Sequence, residues 1–199
     1  MSNVKENEDK IKWFKTNFMG SYDVSIDDKG YINVKGSCIL INDKLNELPY
    51  KIGIVTGDFW LNAYTYSNPY KPNDKFCLNI DFNINTLKNC PDYVQGTFNC
   101  SGCPNLKNLK GGPTKVDGNY KCNHCGLESF DGIATEISGN IIAYANYHLT
   151  DISALNNISY DRIDLDFSPK TLYESTDYKN LGLSGKLNNP PVYSYITQN

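Results

Sequence analysis

The chain has 199 residues, a formal net charge of -3 and a sequence pI near 5.4. That is long enough for one sizeable domain with its own core, and too acidic to present a broad basic field to a nucleic-acid backbone. With 40% of its residues hydrophobic it is expected to be globular rather than disordered, and no apolar run approaches the roughly 18 residues of a membrane span.

The N-terminus, MSNVKENEDK, is charged and no signal-peptide stretch follows it. The chain is therefore expected to stay in the cytoplasm. Seven cysteines in a reducing compartment read as buried, metal-bound or free thiols rather than structural disulfides. Residues 5–19, KENEDKIKWFKTNFM, set Ile11, Phe14 and Phe18 at helical spacing, which predicts a short amphipathic helix. DVSIDDKGYINVKG then alternates around Asp-Asp-Lys-Gly, the pattern of a hairpin. Residues 1–35 read as a helix-and-hairpin cap.

From Gly36 a repeat takes over. Similar segments begin at Gly36 (GSCILI), Gly57 (GDFWLN), Asp74 (DKFCLN), Gly96 (GTFNCS), Gly118 (GNYKCN), Gly139 (GNIIAY) and Asp161 (DRIDLD), spaced 21, 17, 22, 22, 21 and 22 apart. Their third residues are Cys38, Phe59, Phe76, Phe98, Tyr120, Ile141 and Ile163; their fifth are Leu40, Leu61, Leu78, Cys100, Cys122, Ala143 and Leu165. Apolar residues two apart make a strand with one buried face. Further apolar columns follow: Leu45, Ile84, Leu106, Leu127 and Leu149; then Leu48, Leu87, Leu109, Phe130 and Ile152; then Val55, Val94, Val116 and Ile137 on a return leg. A unit of about 22 residues cannot bury such a face alone, so stacking into a solenoid is predicted over residues 36–168. The short coil NAYTYSNPYKPN, before Asp74, lacks the usual apolar pair.

The columns read LxLxxNxLxxL, the leucine-rich-repeat pattern, as in CILINDKLNEL and YKCNHCGLESF. With its entry strand and its units such as GTFNCSGCPNLKNLKGGPTKVDGNYKCN, the stretch 22–168 resembles the leucine-rich-repeat-like proteins encoded by tailed bacteriophages. The resemblance implies an architecture and no catalytic residue. The fold expected is mainly β: a leucine-rich-repeat-like solenoid of about seven short coils with a parallel β-sheet, capped by the helix and hairpin. Residues 169–199 keep Leu181, Leu183, Leu187, Val192 and Ile196 and are expected to cover the last coil or to dock a partner, within one structural domain.

Cys100, Cys103, Cys122 and Cys125 form CxxC-x18-CxxC, a spacing that ordinarily signals tetrahedral zinc. Here the offset between the pairs equals the repeat. Cys100 and Cys122 fall in the leucine column, where cysteine acts as a small hydrophobe. Cys103 and Cys125 share a column with Asp43, Asp81 and Asn146, an inward slot that satisfies turn backbone. Packed thiols are the preferred reading, with no metal or other cofactor; zinc is the alternative, and equivalent cysteines on neighbouring coils, alpha carbons about 5 Å apart, would also suit a disulfide. The two histidines, His124 and His148, offer little acid-base chemistry. Lys110-Gly-Gly-Pro113 lacks phosphate-loop spacing and reads as the turn into the return leg.

What remains is surface. Outward strand positions form three columns: Ser37, Asp58, Lys75, Thr97, Asn119, Asn140, Arg162; Ile39, Trp60, Cys77, Asn99, Lys121, Ile142, Asp164; and Ile41, Asn62, Asn79, Ser101, Asn123, Tyr144, Asp166. Trp60 and Tyr144 are the candidate partner-binding residues, because rigid aromatics dominate interface energetics, with Ile39 and Ile142 adding apolar area and Lys121 and Arg162 polarity. The expectation is a non-catalytic protein-binding solenoid. The phage resemblance implies a host protein as partner, in the host bacterial cytoplasm, including inhibition of a defence system. The alternative is a zinc-stabilised structural module with a nucleic-acid-related role.

Overall fold

The computed structural model describes residues 2–61 and 82–165. The covering segment expected over 169–199, and the column positions Asn62, Lys75, Phe76, Cys77, Leu78, Asn79, Asp81 and Asp166, lie outside them. The described chain opens with helix α1 (Ser2–Asn17), which runs directly into strand β1 (Phe18–Ile26). The predicted helix carried Phe18; strand pairing captures it instead. The Ile41 N–H donates to the Asn17 carbonyl at 2.9 Å, so the sheet begins where the helix stops. Phe18 keeps its contact with Phe14 all the same, the two rings stacked 4.2 Å apart.

β1 pairs antiparallel with β2 (Ile32–Leu40) along its whole length. The hairpin turns where expected: Asp27 Oδ1 accepts the N–H groups of Lys29 and Tyr31, each at 2.9 Å, and Gly30 takes a φ of +77° that favours glycine. β2 is both an arm of this hairpin and the seed of two parallel ladders. Its first half, at Ile32 and Val34, pairs with β3 (Ile52–Val55); its second half, at Cys38 and Ile39, pairs with β4 (Phe59–Trp60). One ladder continues through β6 (Phe98–Asn99), β8 (Tyr120–Lys121), β10 (Ile141–Ile142) and β11 (Ile163–Asp164). The other continues through β5 (Tyr93–Val94), β7 (Lys115–Val116) and β9 (Glu136–Ile137). The return leg predicted at Val55, Val94, Val116 and Ile137 is thus a second ladder of the same sheet, joined to the first through β2, and the whole is a parallel-strand β-solenoid of about five turns with one N-terminal helix. Among the described residues no helix is long and apolar enough to cross a membrane.

The register also corrects the repeat. β4 pairs directly with β6, Phe59 against Phe98 and Trp60 against Asn99, and β3 pairs directly with β5. No strand from the segment at Asp74 stands between them. Asn83 and Asn85 donate their N–H groups to the carbonyls of Asp43 and Asn46, so residues 82–94 stack on the first coil. In the ladders the strand of the unit that starts at Gly57 is therefore followed directly by that of the unit that starts at Gly96. The physical reason lies in the corner glycines: a Cβ on Gly96 would sit 2.7 Å from the Gly57 carbonyl carbon, as one on Gly118 would from that of Gly96. Coil packs on coil through bare backbone there, with Gly96 directly on Gly57.

The inward columns make the core. Cys38, Phe59, Phe98, Tyr120, Ile141 and Ile163 are fully buried, as are Leu40, Leu61, Cys100, Cys122, Ala143 and Leu165. The rings of Phe18, Phe59, Phe98 and Tyr120 form a continuous spine, with successive centroids 5.6, 6.0 and 5.0 Å apart. Between the two ladders runs a turn-rich side carrying Leu87, Leu109, Phe130 and Ile152, all fully buried. The residue before each of these caps the turn that follows: Thr86, Asn108, Ser129 and Asp151 accept the N–H two residues on, at 2.9 to 3.4 Å.

Candidate functional site: the outward face of the first ladder

The middle column predicted for this face is a run of direct cross-strand partners. Ile39 faces Trp60, Trp60 faces Asn99, Asn99 faces Lys121, Lys121 faces Ile142 and Ile142 faces Asp164. At the capped end β1 adds Met19 beside Ile39. Met19 and Ile41 are 52% and 48% exposed, and Ile39 and Trp60 are half-buried. An apolar surface therefore spans three adjacent strands at that end. The Trp60 indole nitrogen is itself buried and has no hydrogen-bond partner among the described residues.

Further along, the face is less open than the alternation implied. Asn99, Ser101 and Asn123, all read as outward, are 5%, 2% and 5% exposed. They engage one another across the coils. The Ser101 N–H donates to Asn99 Oδ1 at 2.9 Å, and its hydroxyl donates to Asn123 Oδ1 at 2.7 Å. The first column is also committed to the fold. Ser37 Oγ accepts the Asp58 N–H, Asp58 Oδ1 accepts the Thr97 N–H, and Asn119 Oδ1 accepts the Asn140 N–H, at 2.7 to 2.9 Å. Among the described residues of this column only Arg162, at its far end, carries a full positive charge, and it is half-buried.

Lys121 and Ile142 are half-buried in the middle column. Tyr144, also half-buried, meets His124 edge-on with centroids 5.1 Å apart. His124 occupies a left-handed corner, φ 53°, equivalent to Gly102 one coil earlier and Ala145 one coil later. Partial burial lowers its pKa by penalising the imidazolium. It stands beside the sheet face rather than in the solvent, and His148 is exposed.

The cysteines sit in the interior. Cys100, Cys103 and Cys122 are fully buried and Cys125 is 6% exposed, each a free thiol. The Cys100 thiol donates to the Lys121 carbonyl at 3.5 Å, and that of Cys125 to the Cys100 carbonyl at 3.2 Å. Burial raises the pKa of Cys100, Cys103 and Cys122 well above the ordinary thiol value. Asn146, in the column of Cys103 and Cys125, donates through Nδ2 to the carbonyls of Cys122 and Ala143, and its Oδ1 accepts the Cys125 N–H. This inward slot ties turn backbone together. No group of three or more His, Cys, Asp or Glu side chains among the described residues is placed to hold a metal ion.

A second outward surface went unnamed by sequence reading. On the second ladder Ile54, Tyr93, Lys115 and Glu136 are successive partners. Lys115 stands 5.2 Å from the Tyr93 ring centre and 3.4 Å from Glu136, while the Tyr93 hydroxyl donates to Asp117. The signal was available, because these residues alternate with the buried Val55, Val94, Val116 and Ile137. On the turn-rich side, Ser129, Asp131, Asp151 and Ser153 line an open polar hollow. There Asp131 pairs with Lys110 at 2.7 Å and Asp151 accepts the Ser153 N–H. Comparison of the chain with protein-family models, curated proteins and solved structures finds no match to any of them.

Proposed function

We propose that this chain is a non-catalytic protein-binding solenoid whose contact surface is the outward face of the first ladder, centred on its capped end. The observation that carries the reading is the apolar surface of Met19, Ile39, Ile41 and Trp60, held on adjacent strands beside a stacked core. Rigid, solvent-facing apolar groups with an aromatic among them are what interfaces use for most of their free energy. Tyr144, Lys121, Ile142 and Arg162 extend the same face toward the other end and supply polar contacts there. The resemblance to leucine-rich-repeat-like proteins of tailed bacteriophages makes the partner a host protein met in the bacterial cytoplasm, and inhibition of a defence system the role to examine first.

The test is affinity capture from bacterial lysate with the wild-type protein, Trp60→Ala and Tyr144→Ala, followed by mass spectrometry. A specific protein retained by the wild type and reduced about tenfold or more by Trp60→Ala is the expected result, since loss of a central aromatic costs on the order of 2 kcal/mol of binding. Retention undiminished by both changes, with each variant folded by circular dichroism, removes this face as the binding surface.

A further inference from the structure

Among the described strands β1 pairs with β2 alone, while β2 goes on to β3 and β4, so β1 is the edge of the sheet at the capped end. Parity shows which of its peptide groups are spent. The Ile41 N–H donates to the Asn17 carbonyl and the Asp27 N–H to the Tyr31 carbonyl, at 2.9 and 3.0 Å. Hydrogen-bonded pairs alternate along an antiparallel ladder, so Met19, Ser21, Asp23 and Ser25 turn their N–H and C=O groups to β2. The far side of β2 agrees, since Ile32 and Cys38 donate, and Val34 accepts, toward the next coil. Gly20, Tyr22, Val24 and Ile26 therefore aim their peptide groups away from the sheet, and no hydrogen bond reaches those groups among the described residues. The Phe18 carbonyl, in the same row, accepts the Tyr22 hydroxyl at 2.7 Å. Helix α1 lies on the inner face of the hairpin, where Phe14 stacks on Phe18 and meets Tyr22 edge-on, and Lys10 Nζ donates to the Gly30 carbonyl. Nor does β1 carry the devices that keep sheet edges apart: FMGSYDVSI has no proline, lysine or arginine, its one charge is Asp23, and it pairs with β2 along its whole length without a bulge.

We propose that β1 is a self-association site, at which a second copy of this chain adds its own β1 antiparallel and the two sheets become one. The strand is complementary to itself about Tyr22. A two-fold axis there overlaps Phe18–Ile26 completely, sets Tyr22 against Tyr22 and Gly20 against Val24 as hydrogen-bonded pairs, and gives about six N–H···O bonds from the outward groups of Gly20, Tyr22 and Val24 in the two copies. On the solvent-facing side it puts each Asp23 opposite the other copy's Ser21, whose hydroxyl can donate to the carboxylate, and each Met19 opposite Ser25. Moving the axis one residue, to Asp23, would set two carboxylates against each other, which disfavours that register. Because β1 ends the stack, the copies meet end to end along its axis. Each edge is consumed by the other, so the pairing closes at two copies rather than growing into a fibre. The inference rests on the pairing of β1 and not on the proposed host partner.

The test is sedimentation velocity of the full chain over a wide dilution series, with amide hydrogen exchange measured at both ends of the series. The mass is expected to rise with concentration from 22.4 kDa toward twice that value. Exchange at Gly20, Tyr22, Val24 and Ile26 should slow in step, while Met19, Ser21 and Asp23, bonded to β2, stay protected throughout. Ser21→Asp sets a second carboxylate opposite Asp23 of the other copy, at an exposed position, and Val24→Pro removes an outward N–H that β2 does not use. Each should weaken the dimer about tenfold or more, since like charges or lost bonds count twice by symmetry. Combining Ser21→Asp with Asp23→Ser exchanges the two partners and should restore association. A chain that stays at 22.4 kDa at every concentration overturns the proposal. So does a dimer indifferent to Ser21→Asp, or an outward row of amides already protected in the monomer, which would show the edge covered by the chain itself. If Val24→Pro fails to fold, the Ser21→Asp pair of variants decides.

Discussion

Tyr120 stands where the two preceding coils of the first ladder carry Phe59 and Phe98, and its ring continues their spine. Its hydroxyl is buried and has no hydrogen-bond partner among the described residues. Desolvation, together with the nearby Cys100 and Cys122, holds its pKa well above the ordinary phenol value, so the group stays neutral but unsatisfied. Leaving a buried donor unpaired costs about 1–3 kcal/mol, and the preceding coil already holds a phenylalanine, Phe98, in that slot. Tyr120→Phe is therefore expected to raise the free energy of unfolding by about 1 kcal/mol, read as a higher urea midpoint with an unchanged slope. A loss of stability would mean that the hydroxyl has a partner in solution.

At the scale of one coil, the columns that the sequence shows most plainly are the apolar ones, and each of their described residues comes out buried, apart from the partly buried Leu45. Period-two strands and the glycine starts were legible because burial and close backbone approach tolerate few residue types. The corners were not. Asn89, Gly111 and Gly132 share one left-handed corner, and Gly102, His124 and Ala145 share the other; positive φ leaves no consistent side-chain signature once histidine and alanine accept it. The outward face was legible in its order but not in its exposure, because Asn99, Ser101 and Asn123 spend their polar atoms on one another. The inward slot after the strand was legible in part: Cys103, Cys125 and Asn146 share it, and the asparagine makes three hydrogen bonds there. Removing its amide strands the Cys125 N–H and the carbonyls of Cys122 and Ala143. Asn146→Ala should destabilise the protein by about 2–4 kcal/mol, the cost of buried groups left unpaired. Asn146→Cys, the residue that two other coils use, should cost clearly less. Equal losses in chemical denaturation would show that the slot is filled by volume alone.

The described residues form a stack in which each turn pairs with its neighbours, joined by the two ladders and by ion pairs between coils such as Lys88–Glu47, Lys107–Glu128 and Lys51–Asp92. In such an array the number of turns is set by which strands pair, and counting segments along the chain misleads when one coil is interrupted. Gly57 and Gly96 are neighbours in the corner column, yet lie 39 residues apart where other coils need 21 or 22. The excess of 17 over the 22-residue repeat carries Phe76 and Leu78 at strand spacing, the pattern that reads as a coil start. Cys100 reaches Leu106 in six steps, whereas Leu61 needs 23 to reach the buried Ile84. Deleting residues 63–79 restores six. The ladder partners on both sides are already in place without that stretch, since β4 pairs with β6 and residues 83 and 85 bond to the first coil. The shortened chain is expected to keep its far-ultraviolet circular dichroism and a single unfolding transition. Closing a shorter loop should make it more stable by roughly 1 kcal/mol, because each doubling of loop length costs about 0.6 kcal/mol. If the deletion instead abolishes folding, the interrupted coil depends on the residues removed, and the 22-residue unit is not sufficient at that place in the stack.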